Sequence, residues 1–354
     1  MEVSTTPFGP IMGVNHGRCV SWLGLRYATA ARFELPQMTR PWAPAMYNAT
    51  AEAPSCPQAA NYETSPSQSE DCLYMNIWLP AAGSPNRTLA FIHGGGFSSG
   101  SIGMMYAGNF WHDGCELAAS RGVAVVTMQY RLGALGWLAR PHPNLGLRDQ
   151  TVALRFTRRL LGPAAARLLI FGHSAGSISV CAHLFSPASH GLFDAAVLLS
   201  SIACPTFPLR AAEVITDGFL SASPCRQPVW GARAEACLRN LSVDQVLQTQ
   251  GRLTTQELEE RRDGSWQFRS SDPNAESVGA YNLQLMWAPA VEATTLPIFP
   301  MSTRAPMRVP VLLSEVAEAE MNAMVYDGGP VGWSSSTSHE QLIGHVTTLC
   351  STPK

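Results

Sequence analysis

Short apolar segments alternate with amphipathic, helix-like segments through most of this 354-residue chain. Each apolar segment ends in glycine, serine or a polar cluster, which is typical of strands buried on both faces of a parallel sheet. The clearest segments are residues 89–93, 123–130, 168–171, 195–200 and 309–313. Helical periodicity covers residues 150–161 and 174–185. Because strands and helices alternate, the sequence predicts an α/β fold with a doubly wound, mostly parallel sheet flanked by helices.

Residues outside these segments predict one further strand of the sheet and one insertion. Residues 73–79 are rich in β-forming side chains and end at Pro80, which predicts an earlier, antiparallel strand and hence a mixed sheet. Residues 204–308 are more polar, and we expect a mostly helical, cap-like insertion with helices in 232–241, 242–249 and 254–262. Ser242 and Gln245 have the spacing of a capping box at the second of these helices. We expect the whole chain, 1–354, to form one domain around this insertion.

The charged residues exclude several classes of function. With 24 basic and 26 acidic residues, the chain has no excess positive charge that would favour nucleic acid or an anionic membrane surface. Every basic residue except Lys354 is arginine, which excludes an internal Schiff-base lysine and a phosphate-binding Gly-Lys-Ser/Thr loop. No apolar run reaches the ~18 residues of a membrane span, and the cysteine spacing disfavours a metal site.

The pentapeptide Gly172-His173-Ser174-Ala175-Gly176 stands between a predicted strand and a predicted helix. In a nucleophile elbow the turn from strand to helix is so tight that the serine is strained and its neighbours must be small. Gly-x-Ser-x-Gly also occurs by chance in ordinary glycine turns. Its position here favours an elbow, with Ser174 as the nucleophile.

A second glycine-rich motif, His93-Gly94-Gly95-Gly96-Phe97, follows another predicted strand. Three consecutive glycines cost backbone entropy, so they indicate a need beyond a flexible loop. They allow backbone N–H groups to converge where negative charge develops during acyl transfer. With the N–H of Ala175, this loop is predicted to form an oxyanion hole.

Five motifs, in order along the chain, resemble those of the type-B carboxylesterase/cholinesterase family. They are Glu70-Asp71-Cys72-Leu73-Tyr74-Met75-Asn76-Ile77-Trp78, the glycine-rich motif at 93–97, Tyr130-Arg131-Leu132-Gly133-Ala134-Leu135-Gly136, Asn144-Leu145-Gly146-Leu147-Arg148-Asp149-Gln150 and the pentapeptide. The resemblance covers about residues 5–349. It implies an α/β-hydrolase fold, a Ser-Glu-His triad that cleaves small-molecule carboxylic esters, and no cofactor. No motif indicates an oligomeric state.

By position, this resemblance assigns roles to single residues. Ser174 is implied as the nucleophile, and Gly95, Gly96 and Ala175 as the oxyanion donors. Ser200 is implied as a hydroxyl near the catalytic acid.

Two residues are candidates for that acid. The family has a glutamate after the strand predicted at 309–313, where an ungapped comparison places Ala319. A shift of one residue gives Glu320, the first candidate, or Glu318, the second. Both glutamates are also consistent with solvated surface charges.

The catalytic base is absent from its usual place. The family's histidine lies over a hundred residues beyond the acid, whereas 34 residues follow Glu320. His339 and His345 lie in a segment that resembles a helix of the family and not its histidine loop. His93 and His173 are closer to the motifs in sequence, but each is also consistent with a purely structural role. We therefore expect a chain that is incomplete at its C-terminus relative to the family.

The resemblance also implies two disulfides, Cys56–Cys72 and Cys225–Cys237. We expect the other five cysteines to be buried free thiols; they are Cys19, Cys115, Cys181, Cys204 and Cys350.

The cellular compartment has two interpretations. The cysteines and three N-glycosylation sequons, at Asn48, Asn86 and Asn240, favour a secreted or secretory-pathway protein. The first residues have no signal-peptide pattern, so either a leader has been removed or the protein is cytoplasmic.

Two functions are consistent with these observations. The intact elbow and glycine-rich loop favour a carboxylic-ester hydrolase that works through an acyl-enzyme, with activity impaired by truncation. The missing base favours the alternative, a non-catalytic cholinesterase-like interaction or adhesion domain.

Overall fold

The computed structural model describes residues 1–59, 67–103, 105–106, 109–110, 112–200, 206–227, 230–253, 258–261, 266–268, 277–281, 287–292, 295–296 and 309–314. Its strands are β1 (Glu2–Thr6), β2 (Gly9–Asn15), β3 (Cys19–Arg26), β4 (Ala28–Thr29), β5 (Gln37–Met38), β6 (Tyr47–Asn48), β7 (Tyr74–Pro80), β8 (Arg87–Ile92), β9 (Met105–Tyr106), β10 (Asn109–Phe110), β11 (Ala124–Met128), β12 (Arg167–His173), β13 (Ala195–Leu199), β14 (Phe207–Pro208), β15 (Leu258–Arg261), β16 (Trp266–Phe268), β17 (Ser277–Tyr281), β18 (Ala290–Val291) and β19 (Val311–Ser314). Its α-helices are α1 (Cys115–Arg121), α2 (Gly133–Trp137), α3 (Leu145–Leu161), α4 (Ala175–Phe185), α5 (Leu209–Ala222), α6 (Ala232–Arg239) and α7 (Val243–Leu253).

A ten-stranded mixed sheet lies at the centre, in the order β1-β2-β3-β7-β11-β8-β12-β13-β19, with β6 paired to β2. The strands β11, β8, β12, β13 and β19 run parallel to one another, whereas β7 is antiparallel to both β3 and β11. The predicted α/β fold with a mixed, mostly parallel sheet is confirmed. Because the five parallel strands point the same way, their carboxyl ends lie at one edge of the sheet, where sites form in such folds.

Helices cover the sheet on both faces. On one face α4 packs on β8, β12 and β13 and contacts α3, and these elements share the larger hydrophobic core. On the other face α1 packs on β3, β7 and β11 above a smaller core that includes Leu89, Val125 and Leu169. The side chains of α4 are buried from Ala175 to His183, because this helix lies between the sheet and α3. The helix that follows the pentapeptide is therefore held along most of its length.

The region after β13 is only partly helical. Helices α5, α6 and α7 form there, and the capping box is present: Ser242 N donates to Gln245 Oε1 at 2.9 Å and Gln245 N to Ser242 Oγ at 3.1 Å. The helix expected at 254–262 is wrong for Leu258–Arg261, which forms the central strand of an antiparallel sheet with β16 and β17. Pairing with segments rich in aromatic and β-branched residues overrides the helical propensity of this strand. None of the helices among the described residues is long and apolar enough to cross a membrane.

The two expected disulfides are present. Cys56 and Cys72 have Cα atoms 5.0 Å apart, and Cys225 and Cys237 have Cα atoms 5.6 Å apart. The first bond closes the loop that precedes β7, and the second links the region after α5 to α6.

Three cysteines expected to be free thiols are instead oxidised. Cys19 at the start of β3 is bonded to Cys115 at the start of α1, and Cys181 is also disulfide-bonded. The Cys19–Cys115 pair is 96 residues apart in sequence and meets because α1 packs on β3. Cys204 and Cys350 lie outside the described residues.

Candidate active site

Ser174 lies at the junction of β12 and α4, at the carboxyl edge of the parallel strands. Its φ of 55° and ψ of −122° place it in a conformation that non-glycine residues rarely adopt. Two backbone bonds hold the turn: Ser174 N donates to Leu199 O at 3.0 Å, and Ile178 N donates to Ser174 O at 3.1 Å. Because the strain is held from both sides, Ser174 has the geometry of an elbow residue.

The small residues of the pentapeptide are required by close backbone contacts. A Cβ on Gly172 would overlap the backbone of Gly176, and a Cβ on Gly176 would overlap the carbonyl oxygen of Ile92. A Cβ on Gly94 would lie 2.7 Å from His173 O and 3.1 Å from Ser174 Cβ. The glycine-rich loop and the elbow, 80 residues apart, are therefore in direct backbone contact.

The glycine-rich loop itself has a left-handed backbone. Gly95 has φ 106°, Gly96 has φ 59° and the buried Phe97 has φ 59°. The Gly95 carbonyl accepts hydrogen bonds from Ser98 N at 3.1 Å and Ser99 N at 3.0 Å. This folds the loop into a tight turn. It also orients the Gly96 N–H, because in a trans peptide the Gly95 carbonyl and the Gly96 N–H lie in one plane and point in opposite directions.

His93 supports this loop from the interior. It is 1% exposed, and its Nδ1 lies 2.8 Å from the Gly94 carbonyl oxygen. Its ring stacks on Tyr130 with centroids 4.5 Å apart, and the Tyr130 hydroxyl donates to His93 O at 2.8 Å. Burial lowers the pKa of His93 to about 4, so the ring is neutral at pH 7.

Ser200 directly follows β13, next to the elbow in the sheet. His173 pairs with Leu199 in the β12–β13 register, so Ser200 extends beyond the strand end beside Ser174. It has φ 56° and is 4% exposed, and its Oγ has no hydrogen-bond partner among the described residues. The resemblance implied a hydroxyl near the acid at this position.

Both acid candidates, Glu318 and Glu320, and the two C-terminal histidines, His339 and His345, lie outside the described residues. The strand that precedes the acid candidates is described: Ser314 at the end of β19 pairs in parallel with Leu199. This strand therefore ends at the same sheet edge as Ser174.

The described histidines near Ser174 differ in exposure. His173 is exposed, whereas His112 is largely buried, with its Nδ1 3.0 Å from Ser101 O and its ring 4.9 Å from that of Phe91. Burial lowers the pKa of His112 to about 4. No sequence pattern identifies His112, because residue 112 comes near β8 only in the folded chain. No hydrogen bond joins Ser174 Oγ to a histidine within the described part of the chain.

The electrostatics of the site come from backbone dipoles. α4 begins directly after Ser174, so its N-terminal N–H groups and positive dipole end are directed toward the serine. Within the described ranges, no group of three or more His, Cys, Asp or Glu side chains is placed to hold a metal ion.

The comparisons with known proteins find the carboxylesterase family and proteins named as esterases. The model of the Carboxylesterase family matches residues 1–337. The chain is 37% identical over 226 residues to the cholinesterase of Mus musculus, and the match covers 56% of this chain and 36% of that protein. It is 35% identical over 218 residues to the para-nitrobenzyl esterase of Bacillus subtilis (strain 168), covering 56% of this chain and 43% of that protein.

The structural comparison extends further along the chain. A solved structure titled PNB esterase superposes with a TM-score of 0.71 at 28% identity, and the alignment covers 93% of this chain and 66% of that one. A structure of a thermophilic PNB esterase gives a TM-score of 0.73 at 25% identity, with 98% and 74% covered. The matched sequence therefore spans less than half the length of these curated relatives, and the matched fold spans about two thirds to three quarters of the solved chains.

Proposed function

The chain belongs to the carboxylesterase family, and from this membership we propose that it hydrolyses carboxylic esters through a serine acyl-enzyme. The observation that carries the proposal is the contact between the two glycine motifs around a strained Ser174. Backbone strain of this kind persists only where surrounding structure maintains it, and it concentrates at active sites.

In the proposed reaction, Ser174 Oγ attacks the carbonyl carbon of a small-molecule ester. The carbonyl oxygen becomes an oxyanion that accepts hydrogen bonds from the N–H groups of Gly95, Gly96 and Ala175. The carbon–oxygen bond to the alcohol breaks, and the alcohol leaves with the proton released by Ser174. Water then attacks the acyl-serine, which releases the carboxylic acid and restores the hydroxyl.

This cycle requires a group that takes the serine proton and a carboxylate that orients that group. We propose Glu320 as the carboxylate, with Glu318 as the alternative, because β19 leads toward the same sheet edge as Ser174. Ser200, whose buried Oγ lies beside the elbow and has no hydrogen-bond partner within the described part of the chain, is proposed to donate a hydrogen bond to that carboxylate.

The test is labelling with a fluorophosphonate and hydrolysis of p-nitrophenyl butyrate, with the Ser174→Ala variant alongside. We expect one label per chain on Ser174 and turnover that the variant lacks. Ser221→Ala is the matched control, because this exposed serine on α5 donates to Asp217 O far from the elbow in sequence. A folded chain that neither labels nor turns over ester contradicts the proposal and favours the non-catalytic interaction domain.

We also propose that the protein matures in the secretory pathway and carries N-linked glycan at Asn48. The disulfides support an oxidising compartment. Asn48 is exposed at the end of β6, and the Thr50 hydroxyl donates to its Oδ1 at 2.7 Å. Expression in a eukaryotic secretory host should give a protein whose mass falls on treatment with peptide N-glycosidase, less so for Asn48→Gln. If the mass of the wild-type protein were the same before and after treatment with the glycosidase, this assignment would be contradicted.

A further inference from the structure

Each proposed oxyanion donor is the N–H of a peptide group whose carbonyl oxygen accepts a hydrogen bond from elsewhere in the protein. In a trans peptide the C=O and N–H groups point in opposite directions, so fixing the carbonyl also fixes the N–H. The Ser174 carbonyl, in the same peptide as Ala175 N–H, accepts from Ile178 N. The Gly95 carbonyl, in the same peptide as Gly96 N–H, accepts from the backbone amides of Ser98 and Ser99 and also from their hydroxyls.

The third carbonyl is held differently. The Gly94 carbonyl, in the same peptide as Gly95 N–H, accepts from a side chain, the imidazole Nδ1 of His93 at 2.8 Å. Among these three peptides, this is the one whose carbonyl accepts from a side chain with no backbone donor beside it among the described residues. The peptide joins two glycines, and Gly95 has φ 106°, so local sterics restrict it very little.

We propose that His93 is a positioning residue that directs the Gly95 N–H into the oxyanion hole by holding the Gly94 carbonyl. The inference rests on the proposed role of Gly95 as an oxyanion donor. His93 acts through the Gly94–Gly95 peptide and does not touch the substrate. A carbonyl that accepts a hydrogen bond also polarises its own peptide, which makes the N–H on the other side a stronger donor.

The surroundings of His93 select the tautomer that this role requires. Nδ1 faces a carbonyl oxygen, so it must carry the hydrogen, and Nε2 is then an unprotonated acceptor. Nε2 is buried and has no hydrogen-bond partner among the described residues. Stacking on Tyr130 and the bond from the Tyr130 hydroxyl to His93 O hold the ring and its backbone in place.

Gly100 makes room for this hydrogen bond. A Cβ at Gly100 would lie 2.5 Å from His93 Nδ1 and 2.5 Å from the Gly94 carbonyl oxygen. Gly100 thus has no room for a side chain, because the hydrogen bond between His93 and Gly94 occupies the space.

Two substitutions separate the donor from the ring. In H93N the amide nitrogen occupies the position of Nδ1 relative to Cγ and can still donate to the Gly94 carbonyl. In H93F the aromatic stack on Tyr130 is kept but the donor is removed, and in H93Q the amide nitrogen reaches the position of Nε2 instead. H93Q replaces H93F if the phenylalanine variant does not fold. His16→Phe, at an exposed histidine between β2 and β3, controls for the exchange itself.

The first measurement is kinetic. With p-nitrophenyl butyrate we expect H93F and H93Q to lose about ten- to a hundred-fold in kcat, with little change in KM, because one oxyanion donor is misdirected. We expect H93N to keep clearly more of the wild-type kcat than H93F or H93Q, because it keeps the donor, and His16→Phe to stay close to the wild type. Equal kcat for all variants, or equal losses for H93N and H93F, would overturn the inference.

The second measurement does not depend on turnover. Crystal structures of the wild type, H93N and H93F at a resolution that shows carbonyl oxygens should place the Gly94 carbonyl identically in the first two. In H93F we expect the Gly94–Gly95 peptide to rotate or to occupy two orientations. A single wild-type orientation in H93F would disprove the positioning role, whereas an inert wild type would contradict only the proposed function.

Discussion

Gly176 of the elbow lies directly against the carbonyl of Ile92 at the end of β8, with no room for a Cβ between them. This contact joins the strand that leads into the glycine-rich loop to the first turn of the helix that follows Ser174. The oxyanion loop and the serine are thus held in register by backbone packing, which is stiffer than side-chain contact.

Gly176→Ala is expected to separate β8 from α4 and to reduce Ser174 reactivity strongly. Overpacking of a buried site costs about 1–3 kcal/mol in the free energy of unfolding. The measurements are urea unfolding and the rate of fluorophosphonate labelling. Gly251→Ala is the matched control in helix α7, because no atom of the described residues lies within 4 Å of its Cβ position. That exchange should leave labelling unchanged and raise stability by up to about 1 kcal/mol through helix propensity. Equal labelling of the two variants would contradict the role assigned to the contact.

Three histidines whose pKa values are lowered in the folded protein should make it less stable in mild acid. Burial lowers the pKa of His183 to about 3 and those of His93 and His112 to about 4, from 6.5. The unfolded chain therefore binds protons below pH 6.5 that the folded chain does not. Above pH 6.5 these histidines are neutral in both states and do not lower the free energy of unfolding. As the pH falls toward 4, each histidine lowers the free energy of unfolding by about 1.4 kcal/mol per pH unit.

Urea unfolding at pH 7, 6 and 5 measures this slope. His183 is fully buried, with its Nδ1 beside Ser189 Oγ and its Nε2 beside Gln150 Oε1, and this burial makes the folded state favour the neutral ring. His183→Gln should make the dependence on pH shallower by about one histidine's share. A free energy of unfolding that stays constant between pH 7 and pH 5 would rule out this assignment.

The Cys19–Cys115 disulfide should contribute more stability than the disulfides Cys56–Cys72 and Cys225–Cys237, which close shorter intervals. It closes a 96-residue interval, for which the chain-entropy account gives about 4–5 kcal/mol, against about 3 kcal/mol for the 12-residue Cys225–Cys237 interval. The double variants Cys19→Ala/Cys115→Ala and Cys225→Ala/Cys237→Ala test this ranking by urea unfolding. The reverse ranking would show that native-state packing, rather than loop length, sets these contributions.

Local features of the fold, including the turn at Ser174, were predictable from sequence because each depends on a short pattern. The elbow needs small residues around Ser174 between a strand and a helix, and the capping box needs Ser242 and Gln245 three positions apart. Both patterns correspond to the observed geometry, and the order of apolar runs predicted the parallel strands.

Features that depend on tertiary neighbours were not predictable in this way. The Cys19–Cys115 bond arises from the packing of α1 on β3, and no local pattern encodes that packing. Leu258–Arg261 has helix-forming residues, yet it forms a strand because partners lie on both sides of it. The hydrogen bond from His93 to Gly94 likewise depends on Tyr130 and Gly100, which neighbour it only in the fold.

The buried ion pair between Arg131 and Asp149 should show strong energetic coupling. Asp149 is fully buried and accepts from Arg131 Nε at 2.8 Å, from a terminal guanidinium nitrogen at 2.7 Å and from the Arg131 backbone N–H at 3.1 Å. Arg131→Met leaves a buried carboxylate without its cation, and we expect a loss of about 3–5 kcal/mol in the free energy of unfolding.

Arg131→Met combined with Asp149→Leu should cost clearly less than the sum of the two single variants, because neither charge is then left unpaired. The exposed pair Arg140–Asp217, at 3.4 Å, provides the control, since its coupling in the same double-mutant cycle should lie between about 0 and 1 kcal/mol. Additive costs at Arg131 and Asp149 would mean that Asp149 is stabilised by its backbone bond and not by the guanidinium. The coupling energy thus measures directly how much the Tyr130–Gly136 segment, which begins beside His93 and the oxyanion loop, depends on its anchor to α3.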